Sequence, residues 1–429
     1  MPRCTGAAGS PRRLLPAGER ALKSAWRAFW ISRVLVWSAG VVGVLVSGAH
    51  AYREVQPGAR DPSESLSALL LSPARRWDSG WYLGIAQSGY DGPQPRTAFF
   101  PLYPLLTRIV GEPIDALGLA GLHSLEIAGV LVSLAALIVA LYLLHRLTDL
   151  EMGADAADNT VLLVALFPMS FFFSAIYSES LFLALTVGCV YFARRGWWWR
   201  AGALGALASA TRSQGLLVLV PLAIIALYGP RADREPVSAP RLSWRPRYRP
   251  SLPEVSALLL VPLGLLAYLG YLRATTSYGA LTPFKSQEYW LREFRGPLIG
   301  VWGGFKNGVI GAHAILTGGP VNEPVSPVRS ELLNFTALAF AAVGTLGALR
   351  RLPIAYGAYA VAALIFSISF PANQLMLKSL PRLVVVIFPI FMWAGLAMRP
   401  WGHRNAVLAV SAVALACASA AFASGYWIA

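Results

Sequence analysis

The chain has 429 residues, of which 56% are hydrophobic and only 13% charged, and its mean hydropathy is +0.55. That excludes an ordinary soluble domain, which carries about 25% charged residues, and recurrent long apolar runs from residue 26 onward exclude a soluble enzyme on one anchor. A net charge of +15 would point to nucleic acid in a soluble protein, but here the arginines cluster between apolar runs, as they do where charge orients membrane spans.

The chain opens with a basic tail over 1–25, expected in the cytoplasm, followed by an apolar run from Trp26 to Val46. Ala49-His50-Ala51 resembles a signal-peptidase site, yet the run exceeds the roughly 7 to 15 residues of a signal-peptide core and reads as an uncleaved first span. Further apolar segments follow at 122–145, 160–177, 179–193, 201–228, 254–273, 331–349, 353–370, 382–398 and 404–424. The segment "YGPRADREPVSAPRLSWRPRYRPS" carries six arginines and belongs inside, whereas a single span over 201–228 would put it outside. Arg212 also falls in the middle of that run, a costly place unless it faces protein or water. Two short helices turning at "ATRSQG" remove both conflicts, and Pro168 with "YSES" marks a second such hairpin within 160–193.

The predicted fold is an all-α polytopic membrane protein forming a single domain over 1–429, with about eleven transmembrane or half-membrane helices. Its parts are a first external loop at 50–121 with interfacial helices, a basic cytoplasmic loop at 229–253 and a second large external loop at 274–330, with the C-terminus outside. Broken helices of this kind are tolerated where they line a protein-enclosed cavity. No internal repeat of the kind found in many transporters is visible.

Few residues carry chemistry. Asp78 in "ARRWDSGWYLGIAQSGY" stands beside Trp77 and Trp81, which with Ile85 recur at helical spacing; it is either a general base at the lipid–water boundary or a helix N-cap. "AFFPLYPLLTRIV" follows, an aromatic belt or a cleft for a lipid chain. Glu179 in "YSES" either caps the next helix or bonds a polar substrate. Arg212 suits a phosphate, with a structural pair to Glu179 as the alternative. Lys285, Gln287, Glu288, Trp290 and Arg292 form a polar, aromatic stretch that fits a sugar or an amphipathic surface helix, and Arg382 in "KSLPRLVVVIFPIF" opens a span, where it is also placed to snorkel to head groups. Cys4, Cys189 and Cys417 lie far apart and read as inert, and no His cluster or phosphate-binding glycine loop appears, so no metal and no cofactor is expected.

"WDSGWYLGIAQSGY" with "AFFPLYPLL", then "LFPMSFFFSAIYSESLF", "ATRSQGLL" and "SLPRLVVVIFP" together resemble, in that order, the second mannosyltransferase of glycosylphosphatidylinositol assembly and its bacterial relatives, the PIG-V-like family of the glycosyltransferase C superfamily. Two departures are Gln214, where Asn is common, and Leu383, where Tyr follows the arginine. The Ala-, Arg- and Pro-rich composition points to a bacterial source. The resemblance implies a plasma-membrane enzyme that takes mannose from a polyprenyl-phosphate carrier on the extracytoplasmic face and passes it to a lipid-linked or cell-envelope acceptor. It also implies a catalytic Asp in the first external loop, which by position is Asp78.

The expected site is therefore Asp78 as base, with Arg212, Lys285 and Arg382 toward the donor phosphate. Trp77, Tyr82, Tyr177, Glu179, Gln214, Gln287 and Trp290 are expected toward the rest of the substrate. The expected partners are the donor, the acceptor and membrane lipids. A transporter or flippase for a glycolipid is the alternative from another class, since broken helices and midplane charge also suit passage of a substrate.

Overall fold

The computed structural model describes residues 16–55, 65–118, 123–233, 246–317, 327–372, 376–398 and 402–428. The tail up to residue 15 with Cys4, most of the arginine-rich segment at 234–245, and parts of the 50–121 and 274–330 segments and of "PANQLMLKSLPR" lie outside them. Among the described residues the chain is helical, and its β pairing is a single bridge between Arg292 and Ala372.

The helices, in order, are α1 (Ala17–Val55), α2 (Leu66–Leu71), α3 (Ser79–Ser88), α4 (Leu102–Ala116), α5 (Ser124–Met152), α6 (Ala154–Leu166), α7 (Glu179–Arg194), α8 (Trp198–Thr211) and α9 (Leu219–Tyr228). After these come α10 (Leu252–Leu260), α11 (Leu263–Thr275), α12 (Thr282–Lys285), α13 (Pro297–Leu316), α14 (Pro327–Arg351), α15 (Ile354–Ile368), α16 (Leu380–Val384), α17 (Phe388–Ala397) and α18 (Arg404–Ala423). Five stretches are long and apolar enough to cross a membrane: Ala17–Ser47, Ser124–Met152, Leu252–Thr275, Ser330–Arg351 and Arg404–Ala423. The protein is thus a multi-pass membrane protein. These long helices leave apolar side chains such as Val46, Leu259 and Val410 uncovered, surface that lipid rather than water would meet.

The short helices occupy the middle. Every residue of α7 is buried except Phe192 and Arg194, because a helix that is apolar on all sides is stable only when other helices surround it. It packs on α5 and α8, while α1 packs on α5 and α18.

Two expected breaks are present. After α6 the chain turns at Phe167 and Pro168 and makes a 3-10 turn over Ser170–Phe173. Breaking a helix frees carbonyls, and here Arg33 of α1 collects them: it donates to Ser170 O at 2.9 Å, Ser170 Oγ at 2.5 Å and Ala165 O at 3.3 Å, and also to the Ser174 hydroxyl. At "ATRSQG" α8 stops, Arg212 is extended, and a 3-10 turn over Ser213–Val218 reverses the chain. The reversal is tight: a Cβ at Gly215 would lie 2.3 Å from the Ala208 carbonyl. Both ends of the hairpin then meet, since Ala232 N–H donates to Arg194 O at 3.1 Å and the Arg231 guanidinium sits 5.0 Å from the Trp198 ring.

The 254–273 segment lies within a span-length stretch that bends between α10 and α11 at Val261-Pro262, and the 382–398 segment divides into α16 and α17 ahead of Pro389. The 274–330 segment is largely helical and includes the twenty residues of α13. The α13 glycines 300, 303, 304 and 308 face Ile368, Met376, Leu377 and Phe335, while Leu298, Trp302 and Phe305 point outward.

Candidate functional site

The site is built where α3, α7, the α8–α9 turn and the start of α16 converge. Asp78 occupies the N-cap position of α3, but its side chain makes no cap hydrogen bond. Instead Asp78 Oδ2 accepts from Arg382 Nη1 at 2.5 Å, and Oδ1 accepts no hydrogen bond from a described residue. The backbone keeps it there: Asp78 N–H donates to the Tyr177 hydroxyl at 3.0 Å, which itself donates to Arg76 O at 3.0 Å.

Glu179, the first residue of α7, is fully buried and neither caps nor reaches a cavity. Its Oε1 accepts from Arg212 Nη1 at 2.8 Å and from Arg382 Nε. Arg382 therefore bridges both carboxylates while lying 4.3 Å over the Tyr177 ring. Two acids and two arginines balance in charge, and their mutual attraction offsets part of the cost of taking them out of water. The structural alternative for Arg212 is realised, although Arg212 still borders the cavity.

That cavity has a volume of about 440 Å³. Its polar lining includes Asp78, Arg212, Gln214, Gln287, Glu288, Arg292, Glu293, Lys378 and Arg382, and its apolar lining includes Phe99, Phe100, Phe284, Phe366, Phe370 and Leu383. Trp290 and Trp427 also border it, Trp427 standing edge-on to Trp77 at 5.0 Å. Of the residues expected from the sequence, Asp78, Tyr82, Arg212, Gln214, Gln287, Trp290 and Arg382 line this space. Trp77, Tyr177 and Glu179 lie behind the wall and position it, and Lys285 is exposed on α12, away from the lining. Tyr82 is buried, with its hydroxyl 2.9 Å from Ser178 Oγ. One face of α3 packs on protein: Ile85 is buried and Trp81 stacks on Phe99 at 5.8 Å.

Three lining residues carry more weight than the sequence suggested. Arg292 was one member of a polar stretch, Lys378 a lone lysine ahead of a span, and Trp427 an aromatic near the chain end. Burial, with the like charge of Arg382 next, lowers Arg292 to about 10. Lys378 is held below the ordinary lysine value by burial and by Arg292, against the pull of Asp78. The backbone gives a further signal. Among the described residues the non-glycine positions with positive φ are Trp77 (50°), Leu291 (59°) and Ser379 (66°), and each is next in sequence to a charged wall residue: Asp78, Arg292 and Lys378. Such conformations cost roughly 1–3 kcal/mol each and persist where surrounding structure imposes them, often at functional sites. Among the described residues no three His, Cys, Asp or Glu side chains gather as metal ligands.

Residues 59–228 match the family Mannosyltransferase (PIG-V). Over that segment the chain is similar to the PIG-V mannosyltransferases. The GPI alpha-1,6-mannosyltransferase 2 of Rattus norvegicus is 38% identical over 165 residues, covering 36% of this chain and 33% of that protein. The human protein of that name is 32% identical over 155 residues (34% and 30%), and the GPI mannosyltransferase 2 of Drosophila melanogaster 30% over 156 residues (35% and 34%). The match thus spans about a third of the length of these curated PIG-V relatives. The bacterial source expected from composition finds no support among them. An Archaeoglobus fulgidus oligosaccharyltransferase structure is similar at 14% identity with a TM-score of 0.42, over 92% of this chain and 56% of that one, too distant to bear on the site. The PIG-V segment contributes Asp78, Tyr177, Glu179 and Arg212 to the site, whereas Arg292, Lys378, Arg382 and Trp427 come from outside it.

Proposed function

We propose that the protein is a membrane mannosyltransferase that takes mannose from a polyprenyl-phosphate carrier and transfers it, with inversion, to a hydroxyl of a lipid-linked or cell-envelope acceptor on the extracytoplasmic face of the plasma membrane. The observation that carries this reading is Asp78, on the wall of a cavity lined by both charged and aromatic residues, with one carboxylate oxygen fixed by Arg382 and the other unclaimed by described residues. A polyprenyl-linked sugar phosphate likewise combines a charged head with an apolar chain.

The chemistry needs little else, because a phosphate is already a good leaving group. Asp78 Oδ1 takes the proton of the acceptor hydroxyl as its oxygen bonds to the anomeric carbon from the face opposite the phosphate. The bond from that carbon to the phosphate oxygen breaks, and its electron pair leaves with the phosphate. Arg382 orients Asp78 by holding its other carboxylate oxygen. Labelled mannose transfer from polyprenyl-phosphate-mannose, by membranes holding wild type or Asp78→Asn at matched expression, tests the proposal. Transfer by wild type alone supports both class and base, transfer by both sinks the role of Asp78, and transfer by neither removes this donor and favours the glycolipid transporter.

A further inference from the structure

Of the charges on the cavity wall, Arg212 and Arg382 are neutralised by Glu179 and Asp78. Two cations on the same wall are not. Lys378 Nζ meets no carboxylate and no hydrogen-bond acceptor among the described residues; its recorded contact is the Trp427 ring, 5.9 Å away. Arg292 forms no ion pair with a described residue and donates from Nη2 to the Lys378 carbonyl, which ties the two segments together. Glu288 and Glu293 also line the cavity, but both are exposed, and Glu293 is taken by Arg295 at 3.0 Å. Two adjacent half-buried cations raise each other's free energy, and the left-handed Leu291 and Ser379 beside them add backbone strain. An anion at that place relieves the charge repulsion.

We propose that Lys378 and Arg292 form the subsite for the donor's phosphate, and that Arg212 and Arg382, the cations first suggested by the sequence, hold the two acids in place instead. This rests on the reading of the substrate as a polyprenyl-phosphate sugar. It divides the wall in two: Asp78 faces the acceptor hydroxyl, and the Lys378–Arg292 side faces the departing phosphate, as displacement from opposite faces requires. The lysine supplies charge that adapts to a moving oxygen, and the guanidinium supplies a planar fork.

The test is equilibrium binding of a short-chain polyprenyl monophosphate, and separately of inorganic phosphate, to purified full-length protein in detergent. Wild type is compared with Lys378→Gln, Arg292→Gln and Lys378→Arg, and thermal unfolding of each variant confirms that it is folded. Expected is a roughly ten- to hundredfold loss of lipid phosphate affinity in either glutamine variant, recovery of most of it in Lys378→Arg, and much weaker binding of inorganic phosphate throughout. Wild-type binding with no loss in folded Lys378→Gln and Arg292→Gln overturns the subsite and leaves the donor reading standing. Equal affinity for inorganic phosphate assigns the cations to a soluble anion and overturns the lipid donor's claim on them. Absence of lipid phosphate binding in wild type removes the donor reading and this subsite with it.

Discussion

Asp78 shows how far a single residue could be read. Its neighbours in sequence left both base and cap open, and only the fold shows that the carboxylate turns from the helix it begins toward Arg382, 304 positions later. Asp78→Asn keeps the shape and the Tyr177 contact to the backbone, so transfer should fall by roughly 10²–10⁴ with unchanged yield and melting temperature. Arg382→Gln is different in kind, because it leaves Asp78 and Glu179 together without their shared counter-charge. A loss of roughly 3–5 kcal/mol is expected, seen as a lowered melting temperature in detergent, and Arg382→Lys should restore little of it, because one ammonium nitrogen replaces the two guanidinium nitrogens that reach separate carboxylates. Lys378 was missed because a lone lysine at a span end ordinarily snorkels. Since its pKa lies below that of an ordinary lysine, it loses its proton earlier as pH rises, while the donor phosphodiester stays anionic. Given the proposed subsite, kcat/KM for the donor should drop on the alkaline side, and Lys378→Arg should move that limb to higher pH. A limb that stays put would assign it to another group.

Among the helices, the legible features were those with a chemical signature of interruption. Pro168 with "YSES", and an arginine inside an apolar run at "ATRSQG", both mark real turns, and the second is confirmed by the meeting of its two ends at Arg194 and Ala232. Less legible was α13, whose five buried glycines, with Lys306 and His313, dilute the apolar pattern. Its glycines make sense only once Phe335 of α14, Ile368, Met376 and Leu377 are seen pressed against them, a long-range fact absent from any local window. The tightness of the 211–218 turn gives a prediction. Gly215→Ala forces a methyl against the Ala208 carbonyl, so thermal unfolding should show a loss of roughly 1–3 kcal/mol, and transfer should suffer as Arg212 is displaced from Glu179. An unchanged melting temperature would show that the turn can open at no cost.

For the whole molecule, the site draws on regions that are remote in sequence, which is why its outline was only half visible. Both acids, Asp78 and Glu179, lie in the first half of the chain, and Arg292, Lys378, Arg382 and Trp427 arrive from the second. No spacing rule links them. Trp427→Ala tests the far end: it removes the edge-on contact with Trp77, worth roughly 0.5–1.5 kcal/mol, and should raise the donor KM more than it lowers kcat in steady-state transfer assays. The bridge from Arg382 to two carboxylates has a wider consequence. It is a clasp between the front and back of the chain, fastened by opposite charge at the place where substrate would enter. Filling the cavity and closing the protein then become one linked equilibrium, so a bound donor head should protect the last three helices from proteolysis, and a preparation that has lost their docking should have lost its appetite for donor as well.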